Sequence, residues 1–252
     1  NGFFILKDGN SVTDQSGNSN NFTVGGGTLT KTEDCPSNVF ATWNPLIKTV
    51  ASFSNGNLSC TTASGEFGSA SSLGVSQGKY YAEFKITASS LLVLGVADEN
   101  GVDYSSNNNI SSGKTGATGS IGFPVFSGVY RINNSNTSYG NSFSQNDIVS
   151  IAIDYANQKI YLGKNGTWQN SANPVSGTGG IDVSSVLTGN DWFFTIGDDT
   201  NTSGSSADAN FGNGYFGTTA VSSAGTNASG NGIFEYDVPT GYTALSTKGL
   251  NE

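Results

Sequence analysis

Of the 252 residues, about half are Gly, Ser, Thr or Asn; only 12% are charged, the net charge is −9, and there is a single arginine. That composition favours turns, caps and strands over helix, which excludes a coiled coil, and no apolar run approaches the roughly 20 residues of a membrane-spanning helix. Ten basic against nineteen acidic residues give no basic face, excluding nucleic acid and anionic membrane as partners, and the absence of histidine removes Ser-His-Asp and Cys-His chemistry.

The start, Asn1-Gly2-Phe3-Phe4, lacks the pattern of a signal peptide, and with no methionine anywhere the chain is expected to be processed or part of a longer polypeptide. Short strands are expected at Phe3–Leu6, Phe22–Val24 and Leu58–Thr62. In Lys79–Thr87 the residues Tyr80, Ala82, Phe84 and Ile86 share one face, and Lys79, Tyr81, Glu83 and Lys85 the other; this predicts a strand with one buried and one solvated face. Leu91–Val96 is a continuous apolar run, expected as a central strand. Gly119–Phe123 and Val129–Ile132 follow as shorter strands. Ile148–Tyr155 and Lys159–Gly163, joined by Ala156-Asn157-Gln158, read as a hairpin. Asp191–Gly197 places Trp192, Phe194 and Ile196 on one face, and Ala209–Phe211 and Phe234–Tyr236 close the series. Asn-Gly pairs, which tolerate positive φ, punctuate the strands. Asp198–Ala207 and Thr218–Gly232 are low in complexity and expected as exposed loops. No 3.6-residue period occurs. The expected fold is all-β, a two-layer antiparallel sandwich.

Four segments carry a resemblance: Gly78-Lys79-Tyr80-Tyr81-Ala82-Glu83-Phe84, Leu94-Gly95-Val96-Ala97, Ser120-Ile121-Gly122-Phe123, and Asp147–Gly166 ending in Lys164-Asn165-Gly166. In order and spacing they resemble the SPRY domain, a concanavalin-like jelly roll of two antiparallel sheets. The flanks Asp14–Val24, Asp34–Leu46 and Phe234–Leu250 look like segments that frame SPRY-like domains in bacteriophage virion proteins such as tail fibres. The resemblance implies an N-terminal flanking segment over residues 1–60, with short strands packed on a SPRY-like sandwich over residues 61–252. It further implies a non-enzymatic surface protein of a virion, extracellular, giving structural display and adhesion to a host-surface glycan or protein. Its other partners would be virion proteins and, by analogy, copies of itself in a trimer. Two alternatives stand beside it: a glycan depolymerase on a concanavalin-like fold, and an intracellular SPRY adapter that binds a protein.

Among the residues, the depolymerase would need two carboxylates about 5–10 Å apart across a cleft. The glutamates are few, and Glu83 lies on the face expected to be solvated. No cofactor is expected, calcium aside. Asp98, Asn100 and Asp103 space oxygen donors around a glycine in a way that suits that hard cation, with an ordinary polar turn as the other reading. Asp198 and Asp199 with Asp208 form a second such group. Cys35 and Cys60 would close a loop of about 25 residues if bridged; two free buried thiols are the other reading. Tyr104, Tyr139 and Trp168 lie beside loops rich in amides and hydroxyls, among them Asn107, Asn136 and Asn170. Flat rings flanked by such groups suit sugar faces or a protein partner, unless each ring plugs the end of the sandwich. The candidate surface combines the loops Asp98–Ser112, Asn133–Ser144, Lys164–Asn173 and Asp198–Asp208.

Overall fold

The computed structural model describes residues 2–5, 11–26, 34–47, 51–62, 68–88, 91–102, 119–199 and 204–251. Among them run the strands β1 (Ser52–Ser54), β2 (Ser59–Thr61), β3 (Ser69–Ala70), β4 (Lys79–Ala88), β5 (Leu92–Asp98), β6 (Ser120–Pro124), β7 (Val129–Ile132), β8 (Ser135–Ser138) and β9 (Ile148–Asp154). After these come β10 (Lys159–Lys164), β11 (Thr167–Trp168), β12 (Ile181–Asp182), β13 (Trp192–Asp198), β14 (Ser206–Asn210), β15 (Tyr215–Phe216), β16 (Thr219–Ala220) and β17 (Thr243–Ala244). The described helical turns are two short 3₁₀ pieces, Gln169–Ser171 and Gly249–Asn251.

The strands form a two-layer antiparallel sandwich. One sheet has the order β1-β2-β14-β4-β9-β10-β11, with β12 added to β10 and β17 lying parallel to the start of β4. The other has the order β3-β13-β5-β6-β7-β8, and β15 and β16 pair apart from both layers. Their facing sides meet in an aromatic core: Phe84 of β4 lies 5.9 Å from Phe194 of β13, and Trp43 stacks on Phe84 at 5.5 Å. Tyr80, Ala82, Phe84 and Ile86 are all buried, as the alternation in β4 predicts. At roughly 25 cal/mol per Å² of apolar surface, such rings dominate the stability of the domain.

The opposite face of β4 is the main departure. Tyr81 and Glu83 are as buried as the core side, because the chain after Phe211 folds back over this face. Phe234 packs edge-on against Tyr81 at 5.0 Å, and Trp168 does so at 6.3 Å. The solvated face expected from alternation is therefore a second, smaller core.

Other boundaries shift as well. Phe3–Leu6 and Phe22–Val24 form no strand among their described residues. Gly2–Phe4 and Val12–Phe22 wrap instead around the Asp14 carboxylate, which accepts the N–H groups of Phe4, Ser16 and Asn20. The Ser16 side chain first, and then these bonds, hold the Asp14 carboxyl well below the usual carboxylate range. Phe234–Tyr236 is not a strand either, but the strap over Glu83. The expected loop Asp198–Ala207 yields its ends to β13 and β14.

Candidate functional site

Strand register decides which candidate loops meet. In the β5–β13 pair, Trp192 faces Asp98 and Leu92 faces Asp198. The loops that follow Asp98 and Asp198 therefore leave from opposite ends of the sandwich, roughly 20 Å apart over six residues of strand. Tyr155 ties the first sheet to the Trp192 end: its ring lies 4.7 Å from Trp192, and its hydroxyl donates to Asn190 O. The four expected loops do not share one face. Of the described residues, 98–102 belong to the Trp192 end, as does the Asn133-Asn134 turn that opens the expected Asn133–Ser144 loop, whereas residues 139–144, 164–173, 198–199 and 204–208 belong to the Asp198 end. Tyr104, Asn107 and Asp103 lie outside the described residues.

At the Asp198 end the loops are bound to the frame by partly buried and exposed polar contacts. Lys164 Nζ donates to Ser142 O at 2.7 Å and pairs with Asp147 at 3.0 Å. The Gln169 carbonyl accepts the Asn141 N–H at 3.0 Å, and a Cβ at Gly140 would collide with that same side chain, so only glycine fits there. Tyr139 is 6% exposed and donates its hydroxyl to Gly179 O at 2.8 Å; burial pushes its phenol up to about 12. It closes the sandwich rather than facing a ligand. Trp168 is half-buried against Tyr81. Asn136 is exposed, but its Oδ1 accepts from Arg131 Nε at 2.9 Å. Arg131 also forms a two-pronged ion pair with Asp199, which fastens β7 to the end of β13. Asn170 is exposed with φ 55°. The cleft between Phe123, Tyr139, Phe143 and Gln169 is filled, with about 10 Å³ left. What faces solvent is a closed surface of amides and hydroxyls around Phe126, which is 37% exposed.

The acidic candidates are already engaged. Asp98 Oδ1 accepts the N–H groups of Asn100 and Gly101, and Oδ2 accepts that of Gly189 at 2.7 Å. The neighbouring Glu99 holds the N–H groups of Asn190 and Asp191. This loop is a turn that locks Asp98–Val102 onto Gly189–Asp191, with Asn100 contributing its backbone. In the second group, Asp198 accepts from Thr62 Oγ1, Asp199 pairs with Arg131, and Asp208 accepts from Ser59 Oγ, so each carboxylate is taken up by its own partner. Among the described residues no cluster of three or more His, Cys, Asp or Glu side chains could hold a metal ion.

Cys35 and Cys60 are not bridged; both thiols are free. Cys60 is sealed inside β2 between Phe53 and Ala207, and burial pushes its thiol up to about 12. Cys35 sits in a separate turn with its sulfur 3.2 Å from Ser37 Oγ.

Glu83 is the polar centre that alternation hides. Its Oε1 accepts from the Tyr81 hydroxyl and the Tyr236 N–H, both at 2.9 Å. Its Oε2 accepts from the Glu235 N–H at 2.8 Å and from Asn210 Nδ2 at 3.3 Å. Burial raises the carboxyl to about 7 against the pull of these donors. With no exposed surface and no second carboxylate across a cleft, it pins the strap and offers nothing to a substrate. A cavity of about 570 Å³ lies at the other end, between Gln77–Tyr80 and Thr240–Thr243. Its walls are about 160 residues apart in sequence, so no local pattern could reveal it.

A SPRY domain is found at residues 79–178. Among solved structures, the SPRY domain of human HERC1 is similar at 18% identity, with 66% of this chain and 96% of that chain covered and a TM-score of 0.52. The TRIM65 PSpry domain aligns at 11% identity over 68% of this chain and 91% of that one, with a TM-score of 0.49. No curated protein matches the sequence.

Proposed function

We propose, starting from the SPRY domain at residues 79–178, that the chain is a non-enzymatic interaction module that holds a partner protein against the loops of the Asp198 end. The observation that carries this reading is the closed polar surface around Phe126, Asn141, Ser142 and Asn170. It is anchored to the sandwich by Lys164, Gln169 and Arg131, and its cleft is filled. A filled cleft suits no small molecule. A rigid, nearly uncharged surface with one apolar ring among donors and acceptors suits a protein face, with Phe126 as its anchor. Rigid frames with variable loops serve recognition without disturbing the core. Of the expectations drawn from sequence, the protein-binding adapter fits the SPRY domain better than virion display does.

Display on a virion, against a host-surface glycan or protein and as a trimer, is the second reading. It rests on the resemblance of the flanks alone.

The test uses the triple variant Phe126→Ala, Asn141→Ala, Asn170→Gly, in which glycine keeps the positive φ at position 170. Loss of one anchor and its flanking amides should weaken a specific protein partner at least about ten-fold. An unchanged affinity in a folded variant would remove this surface from the interaction.

A further inference from the structure

Asn-Gly pairs share one chemical hazard. The glycine N–H meets no side-chain obstruction and can attack the preceding Asn carboxamide carbon. The new N–C bond expels ammonia and leaves a cyclic succinimide. Water then opens that ring at one of its two carbonyls, giving aspartate or isoaspartate. The reaction needs a carboxamide free to swing and a glycine nitrogen free of other bonds.

Five such pairs lie within the described residues, and four are locked. At Asn100-Gly101 the glycine N–H is held by both Asp98 O and Asp98 Oδ1, at 3.0 Å each. At Asn165-Gly166 the carboxamide is clamped, its oxygen by the Ile148 N–H at 2.8 Å and its nitrogen by Asp147 at 2.7 Å. At Asn213-Gly214 the side chain is buried and the glycine N–H donates to Asn210 Oδ1. At Asn231-Gly232 the carboxamide is buried and bonded to Asn38, Thr243 and Ser246.

The fifth pair is different. Asn55-Gly56 forms the exposed turn between β1 and β2, and a Cβ at Gly56 would meet no atom within 4 Å. The Gly56 N–H has no hydrogen-bond partner among the described residues. The carboxamide makes one bond, from Nδ2 to Ser59 Oγ at 2.8 Å, and its oxygen is free.

We infer that Asn55 is a modification site, the position at which this chain undergoes succinimide formation and conversion to aspartate or isoaspartate. The product reaches the sheet directly. Ser59 Oγ already donates to Asp208 Oδ1 at 2.5 Å, so a carboxylate at position 55 would set two negative groups around one hydroxyl. Isoaspartate would also lengthen the backbone by one carbon inside the turn that sets the Ser54–Ser59 register. Both effects loosen the edge of the larger sheet.

The experiment incubates the folded protein in mildly alkaline buffer, with a urea-unfolded sample in parallel, and follows the mass gain of each Asn-Gly peptide after digestion. In the unfolded sample the five peptides should convert at similar rates. In the folded protein the Asn55 peptide should convert at nearly its unfolded rate. The other four, which either hold the glycine N–H or bond the carboxamide at both its oxygen and its nitrogen, should slow at least about ten-fold relative to Asn55, the factor set by about 1.4 kcal/mol of additional hydrogen bonding. Conversion at any of the four as fast as at Asn55, or a ten-fold protection of Asn55 itself, would overturn the assignment.

Discussion

Replacing Glu83 by alanine should release the strap over the second core, and the size of the effect follows from its bonds. Two of its four donors keep other partners: the Tyr81 hydroxyl retains Ser150 at 2.9 Å, and Asn210 Nδ2 retains Ile233 O at 3.0 Å. The N–H groups of Glu235 and Tyr236 keep none, since each is bonded to the carboxylate. Leaving a buried donor unsatisfied costs about 1–3 kcal/mol, so Glu83→Ala should lose about 2–6 kcal/mol. Against a total stability of about 5–15 kcal/mol this is a large fraction, and it corresponds to a fall in Tm of roughly 5–20 °C. Urea unfolding gives the global loss. Hydrogen exchange should show the Glu235 and Tyr236 amides losing protection before those of β4 and β9. A loss under about 1 kcal/mol, with those two amides still protected, would show that the carboxylate does not hold the strap.

The same group sets a pH dependence. Its carboxyl lies at about 7 in the folded state and at its ordinary 4.5 when unfolded, so between these values the folded chain keeps a proton that the unfolded chain has shed. Stability should therefore fall as pH rises from about 4.5 to about 7, by up to about 1.4 kcal/mol per unit, and then level off; Glu83→Gln should flatten that slope in urea titrations. Arg131→Ala leaves the largely buried Asp199 without its guanidinium and should cost about 3–5 kcal/mol, which thermal unfolding would read. Asp14→Ala removes the acceptor of three backbone N–H groups and should make Gly2–Gly26 the first site of limited proteolysis, leaving the global Tm unchanged. In the native protein one thiol, Cys35, should react with a thiol reagent while Cys60 does so only on unfolding, and a non-reducing gel should show no internal bridge.

The sandwich core was legible because period-two alternation reports the inner face directly. β4, β9, β10 and β13 fall within two residues of their expected spans, and Val129–Ile132 matches at both ends. The outer face of β4 was not legible. Whether Glu83 meets water depends on a segment about 150 residues later folding back on it, and local spacing carries no trace of that. The strap read as a strand because Phe234, Glu235 and Tyr236 alternate in polarity, yet their N–H groups go to a carboxylate instead of a neighbouring strand. The same limit applies to the candidate site. Tyr139 stands among polar loop residues in sequence, but its ring is needed to close the sandwich. Asp98 looks like a cation ligand until its oxygens are seen taking backbone N–H groups. The grouping of loops failed for a topological reason, since register alone sends Asp98 and Asp198 to opposite ends.

Quantitative partner capture tests most directly whether the Asp198 end is the interaction surface. The wild-type chain would be compared with the Phe126→Ala, Asn141→Ala, Asn170→Gly variant and with a control altered at the opposite end, Gln77→Ala with Thr240→Ala. All three must show the same cooperative unfolding. The expected result is a protein retained by the wild type and the control and lost by the triple variant, with a cross-link that maps to Asn141–Ser144 or Asn170–Asn173. Equal capture by all three, or loss only in the control, would contradict the assignment and move the interaction to the cavity beside Gln77 and Thr240.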